Sequence, residues 1–126
     1  MKHEPVNVLG TPLTPCSHKP LTGWFRDGHC NTDASDRGSH TVAAQVTSEF
    51  LVYLQERGND LITPAPEHGF PGLQAGDRWC VCAASWFQAY RAGVACPVVL
   101  TATHAAALQR VPLEALLEHA TDLPQA

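Results

Sequence analysis

Hydrophobic positions come in short runs separated by long proline- and glycine-rich stretches. Val6-Asn7-Val8-Leu9, closed by Gly10, reads as a first strand. From residue 11 to 39 no period holds, and Pro12, Pro15, Pro20, Gly23, Asp27-Gly28 and Gly38 interrupt the chain. About 30 residues without regular structure make either a functional loop or a disordered one. Cys16, Trp24, Phe25 and Cys30 are residues that proteins tend to bury. The expectation is therefore an ordered loop, with Trp24 and Phe25 anchored in the core.

Residues 40–46 predict a strand that runs into a helix. Thr47 or Ser48 can accept a bond from a free helical N–H and cap its start. Phe50, Leu51 and Leu54 then form one apolar stripe, and Gly58 stops the helix. Residues 63–76 form a second irregular segment. Within it, Phe70-Pro71-Gly72-Leu73 fits a type II turn, with positive φ at Gly72. Residues 78–84 read as a central strand buried on both faces. Residues 85–92 read as a helix with Trp86, Phe87 and Tyr90 as contacts, and residues 98–102 as a β-branched strand. Thr103 can cap a short helix over residues 104–108. Pro112 suits the start of a last helix over 113–120.

A helix between two strands suggests a βαβ unit near residues 79–102. The predicted fold is α+β: a small mixed sheet of about four strands, three or four helices and two long ordered loops. One domain spans residues 1–126, with an ordered core over about 6–120 and a frayed tail at 122–126.

Charge narrows the partners. Lys and Arg total 8 against 12 Asp and Glu, a net charge of −4. Binding duplex nucleic acid needs cations against phosphate, and these eight form no basic run, so nucleic acid is excluded as the main partner. No apolar run approaches the ~20 residues of a membrane span, so no membrane partner is expected. The seven histidines would carry the charge from −4 to +3 on full protonation, so behaviour should change between about pH 5 and 7. Five cysteines, an odd count with no export signal in the first residues, point to reduced thiols in the cytoplasm.

Phosphate-loop, dinucleotide, zinc-protease and serine-elbow motifs are all absent from the sequence. What remains is a Cys/His constellation. Cys80-Val81-Cys82 on a strand would put two thiols on one face, about 6.6 Å apart at Cα. Zinc would want two more ligands, and Cys16, Cys30, His40 or His104 could supply them. Plain packing of thiols explains the same residues. A catalytic thiol would need His40 or His104 beside it to lower its pKa. Asp60 and Asp77 read as turn formers, Asp27 as a loop ion pair with Arg26, and Trp24, Trp79 and Trp86 as core or pocket lining.

Asn7-Val8-Leu9-Gly10, Pro15-Cys16-Ser17, Thr22-Gly23, Arg26-Asp27-Gly28, Gly58-Asn59-Asp60-Leu61, Phe70-Pro71-Gly72-Leu73, Gly76-Asp77-Arg78-Trp79-Cys80 with Cys82, and Thr103-His104 follow in that order. Together they resemble the domain-of-unknown-function family 2237, small bacterial and plant proteins, over nearly the whole chain. The resemblance implies no activity, cofactor or catalytic residue. Against the family pattern, Ala43 stands in place of Cys, Ser85 of Arg, Gln88 of Glu and Cys96 of Pro.

Two functions follow as expectations. One is a cytoplasmic binding or interaction domain for a small molecule or protein. Its pocket would lie where loops 11–39 and 59–77 meet the ends of strands 79–84 and 97–103. Its candidate residues are Cys16, Trp24, Asp27, Cys30, His40, Asp60, Asp77, Trp79, Cys80, Cys82 and His104. The alternative is a metal-dependent or cysteine-based enzyme, with zinc held by Cys80, Cys82, His40 and His104.

Overall fold

Two short strands, Val-Ala-Ala-Gln and Arg-Trp-Cys-Val, form the centre. The computed structural model describes residues 4–123. Strand β1 (Val42–Gln45) pairs antiparallel with β2 (Arg78–Val81), in the register Val42–Val81, Ala43–Cys80, Ala44–Trp79 and Gln45–Arg78. Val42, Ala43 and Ala44 are fully buried. Methyl-sized side chains at 43 and 44 let neighbouring segments approach both faces of β1 closely.

Helix α1 (Ser48–Glu56) follows β1, and Thr47 Oγ1 accepts the Phe50 N–H at 3.2 Å as its cap. Its buried stripe is Phe50, Leu51 and Leu54, as the spacing predicts. Helix α2 (Ala83–Arg91) follows β2 almost without a linker and buries Ala83, Trp86 and Ala89. Helix α3 (Leu113–Glu118) buries Ala115 and Leu116. These faces meet in one apolar core that draws on Val8, β1, β2, Val98, Leu100 and Val111. Gly72 has φ +79, as the turn requires, and a Cβ there would collide with the Ile62 carbonyl.

The structure is thus a small mixed α/β arrangement of three helices and a two-stranded sheet. Two of the four expected strands do not form among the described residues. Val6 and Asn7 make only single bridges, to Pro12 and His104. The Asn7 side chain explains this: Oδ1 accepts the Leu9 and Thr11 N–H groups, which folds the chain back at once. Residues 97–99 run beside β1 for one bridge, with Gln45 N–H to the Pro97 carbonyl and Val99 N–H to the Ala43 carbonyl. The next two amides, of Leu100 and Thr101, are captured by the Asp122 carboxylate at 2.6 and 3.0 Å. The ladder stops there, and Leu100–Ala102 becomes a 3-10 turn. The expected βαβ unit is corrected accordingly: residues 97–99 share the direction of β2, but β1 lies between them.

Asp122, placed by the sequence reading in a frayed tail, is held by those bonds; residues 124–126 of that tail lie outside the described residues. His104, not Thr103, caps the 3-10 helix Ala105–Gln109, its Nδ1 accepting the Ala106 N–H at 2.9 Å. Thr103 turns inward instead, donating to the Val99 carbonyl and accepting from Ala43 N–H. Among the described residues, no helix is long and apolar enough to cross a membrane.

The long loop of residues 11–39 has no helix or strand yet is ordered by bonds. Trp24 and Phe25 do not anchor it: they are 43% and 46% exposed. Three other contacts hold it. Cys16 N–H donates to the Gly28 carbonyl, Thr22 Oγ1 accepts the Cys80 N–H at 2.9 Å, and Cys30 is disulfide-bonded to Cys80. The expectation of five reduced thiols is corrected by that bond; Cys16, Cys82 and Cys96 are free.

Candidate functional site: an aromatic cleft beside a sulfur cluster

A cleft of about 450 Å³ opens between the loop of residues 22–30, the segment 60–70 and β2. Gly23, Trp24 and Arg26 from the loop, His68 and Phe70 from the segment, and Trp79 and Cys80 from β2 line it. Of the sequence candidates, Trp24, His40, Asp60, Trp79 and Cys80 meet here.

The aromatic groups are arranged in pairs. The Trp24 ring stacks on His40, with centroids 5.9 Å apart and planes 11° apart. Phe70 meets Trp79 edge-on at 5.2 Å. The Arg26 guanidinium lies 5.1 Å from the centre of the Trp79 ring, within cation–π range. Arg26 itself sits at φ +54, a conformation unfavourable for a side-chain-bearing residue, and its guanidinium donates back to the Gly23 carbonyl at 2.9 Å.

His40 is oriented by a residue the sequence reading missed. Asp36, its side chain fully buried, accepts the His40 ring Nδ1–H on Oδ1 at 2.7 Å. Its Oδ2 accepts the His40 backbone N–H and the Thr32 hydroxyl, each at 2.9 Å. Burial raises the carboxyl pKa, but these hydrogen bonds to the charged form outweigh it and hold it below the usual 3.8. With Nδ1 engaged, Nε2 is the nitrogen left to meet a ligand. The Asp36–His40 spacing of four residues was the available signal in the sequence.

Asp60, though in the cleft lining, and the remaining candidates are engaged in local structure. Asp60 Oδ1 accepts the Ile62 and Thr63 amides, and bonding to Thr63 is the main cause that lowers its pKa; this carboxylate closes a turn. Asp77 accepts from Gln74 N–H, and Asp27 from His29 N–H; both serve their own loops. Cys82 stands at the start of α2, its thiol donating to the Gly38 carbonyl at 2.8 Å. His104 is a helix cap, and its half-buried ring has its pKa lowered by desolvation.

The proposed metal ligands Cys80, Cys82, His40 and His104 do not converge. Among the described residues, one group of three such side chains has ligand atoms within 4.8 Å of one another: Cys16, Cys30 and Cys80. Cys30 and Cys80 are bonded to each other, so this set offers a single thiol and does not suit zinc, which takes four ligands. Cys16 is buried in an apolar cluster with Ala43, Val99 and Ala102, and desolvation pushes its pKa up to about 12 despite the field of Arg78.

Compared with known proteins, the chain matches the family described as "Uncharacterized protein conserved in bacteria (DUF2237)" over residues 6–120. No curated protein matches it.

Proposed function

The chain belongs to the DUF2237 family, and on that footing we propose that it is a cytoplasmic small-molecule-binding domain whose cleft takes a planar, anionic ligand. The observation that carries this is the placement of Arg26 over Trp79 in the same cleft lining as the Trp24–His40 stack. Rings supply flat apolar surface, and the guanidinium supplies charge. Arg26 is held in an unfavourable backbone conformation to do so, which is a pattern of functional loops. Trp24 is exposed and lines the cleft, so its ring is open to a ligand there.

The test is tryptophan fluorescence titration with 1-naphthoate and its neutral analogue 1-naphthamide. The carboxylate should bind more tightly, and Arg26→Gln should remove the preference. Equal affinity for both, or no binding by either, overturns the reading.

A second reading, an enzyme, is favoured by one observation: the buried Asp36 carboxylate fixing the tautomer of a cleft-lining imidazole. That pairing suits His40 to accept a proton through Nε2. Hydrolysis of aryl esters that is lost in His40→Gln and kept in His68→Gln would support it; equal rates in both variants and the parent chain would end it.

A further inference from the structure

The disulfide has two unlike ends. Both cysteines are buried in one cluster with Cys16, Ala43, Val99 and Ala102, Cys30 at 0% and Cys80 at 2% exposure, but of the two only Cys80 lines the cleft. A thiol arriving from solvent through the cleft therefore meets the Cys80 sulfur first. The third sulfur, of Cys16, lies within 4.8 Å of both partners. We propose that Cys80 is a thiol-exchange site, where a small anionic thiol held in the cleft forms a mixed disulfide and expels Cys30.

The step balances within the protein and its reactant. The incoming thiolate attacks Cys80 Sγ, the Cys30–Cys80 bond breaks, and a new bond joins Cys80 to the reactant's sulfur. Cys30 leaves as a thiolate and takes up the proton that the reactant thiol released. The protein disulfide is the oxidant, so no other is required. Resolution has two routes. A second thiol molecule can attack the reactant's sulfur, releasing a small disulfide and leaving Cys80 reduced. Alternatively, Cys16 can attack Cys80 Sγ, moving the disulfide to Cys16–Cys80 and returning the small thiol.

At neutral pH the second route is slow, because the thiolate is the nucleophile and burial keeps Cys16 protonated, its pKa about 12. Cys30 can also reclose the original bond, so acid quenching, which protonates both thiolates, is what traps the mixed disulfide at Cys80. The anionic character of the reactant rests on the proposed cleft reading, through Arg26; the choice of Cys80 rests on its place in the cleft lining. In a reducing compartment a disulfide of this kind is transient and reactive.

The experiment uses the wild-type, disulfide-intact chain and limiting reduced glutathione under anaerobic native conditions, with acid quenching and peptide mapping by mass spectrometry. Without oxygen the protein disulfide is the sole oxidant, so any adduct traces back to it, and early quenching samples the first adduct before released glutathione disulfide can reach Cys16, Cys82 or Cys96. The expected product carries glutathione on Cys80 and a free thiol on Cys30. It should form about tenfold faster than the adduct of uncharged 2-mercaptoethanol at equal thiolate concentration, the factor given by about 1.4 kcal/mol of favourable charge. An adduct on Cys30, or none on Cys80 without denaturant, overturns the site; equal rates for the two thiols overturn the anionic preference. If naphthoate binds but no adduct forms, exchange fails and the cleft reading stands. If the adduct forms but naphthoate does not bind, the cleft reading alone fails.

Discussion

The Asp36 carboxylate and the His40 imidazole, four residues apart, meet at 2.7 Å, with the acid fully buried and the base half-exposed at a cleft. Asp36→Asn keeps the shape but removes the charge that three donors share. The loss should be about 1.5–3 kcal/mol, the range for hydrogen bonds to an ionised group. Because the folded pKa lies below 3.8, the charge's contribution is complete above that value and disappears as pH falls through the folded pKa. Urea unfolding at pH 7 and at pH 3 should show the gap between parent and variant narrowing at the lower pH.

His104 supplies an independent pH effect of opposite origin. Its Nδ1 must be unprotonated to accept the Ala106 N–H, and desolvation lowers its pKa from 6.5. The unfolded chain then binds the proton first as pH falls. Stability should be complete above about pH 6.5 and decline on acidification toward the folded pKa. His104→Asn keeps a cap acceptor without the titration. Its midpoint in urea should change less between pH 7 and 5 than that of the parent chain, and an unchanged slope would show that other groups dominate.

Thiol labelling ranks the free cysteines. Cys82 is half-buried, while Cys16 and Cys96 are buried with pKa values pushed up to about 12 by desolvation. Native iodoacetamide treatment at pH 8 should modify Cys82 first, by an order of magnitude or more. For both buried thiols the folded pKa exceeds the usual 9.0, so their contribution to stability is intact below pH 9 and is lost as pH rises toward about 12. Cys96→Ala should reduce that alkaline loss, at a packing cost of about 1 kcal/mol.

Asp122 fastens the last described turn to the centre through the Leu100 and Thr101 amides and the Thr101 hydroxyl. Asp122→Ala leaves two amides without their partner, a loss of about 1–3 kcal/mol. Chemical denaturation should show it, and amide exchange should quicken at Leu100 and Thr101 while staying unchanged in α1.

Local chemistry was legible where a short segment decides its own conformation. Thr47 with Phe50, Leu51 and Leu54 fixed α1, and Pro71-Gly72 fixed a turn. The β-branched Val98-Val99 pair misled, because strand propensity yielded to Asp122, a side chain over twenty residues away. Trp24 misled in the same way: burial tendency gave way to an exposed place in the cleft lining. The Cys30–Cys80 bond was beyond reach, since five cysteines carry no pairing information without the fold that brings two together. Asp36 was missed because it lies in the irregular stretch, where no period marks a buried residue.

The bond between Cys30 and Cys80 also changes the molecule's topology. It closes a covalent ring, with bridgeheads 50 residues apart in sequence, that contains β1 and α1. A protease that nicks the backbone once inside the ring, for example after Arg57, opens it without releasing a fragment. The nicked chain gains only the mass of one water until a reductant separates its halves. A cut after Arg91 lies outside the ring and has no such tether, so in denaturant its products part without reduction.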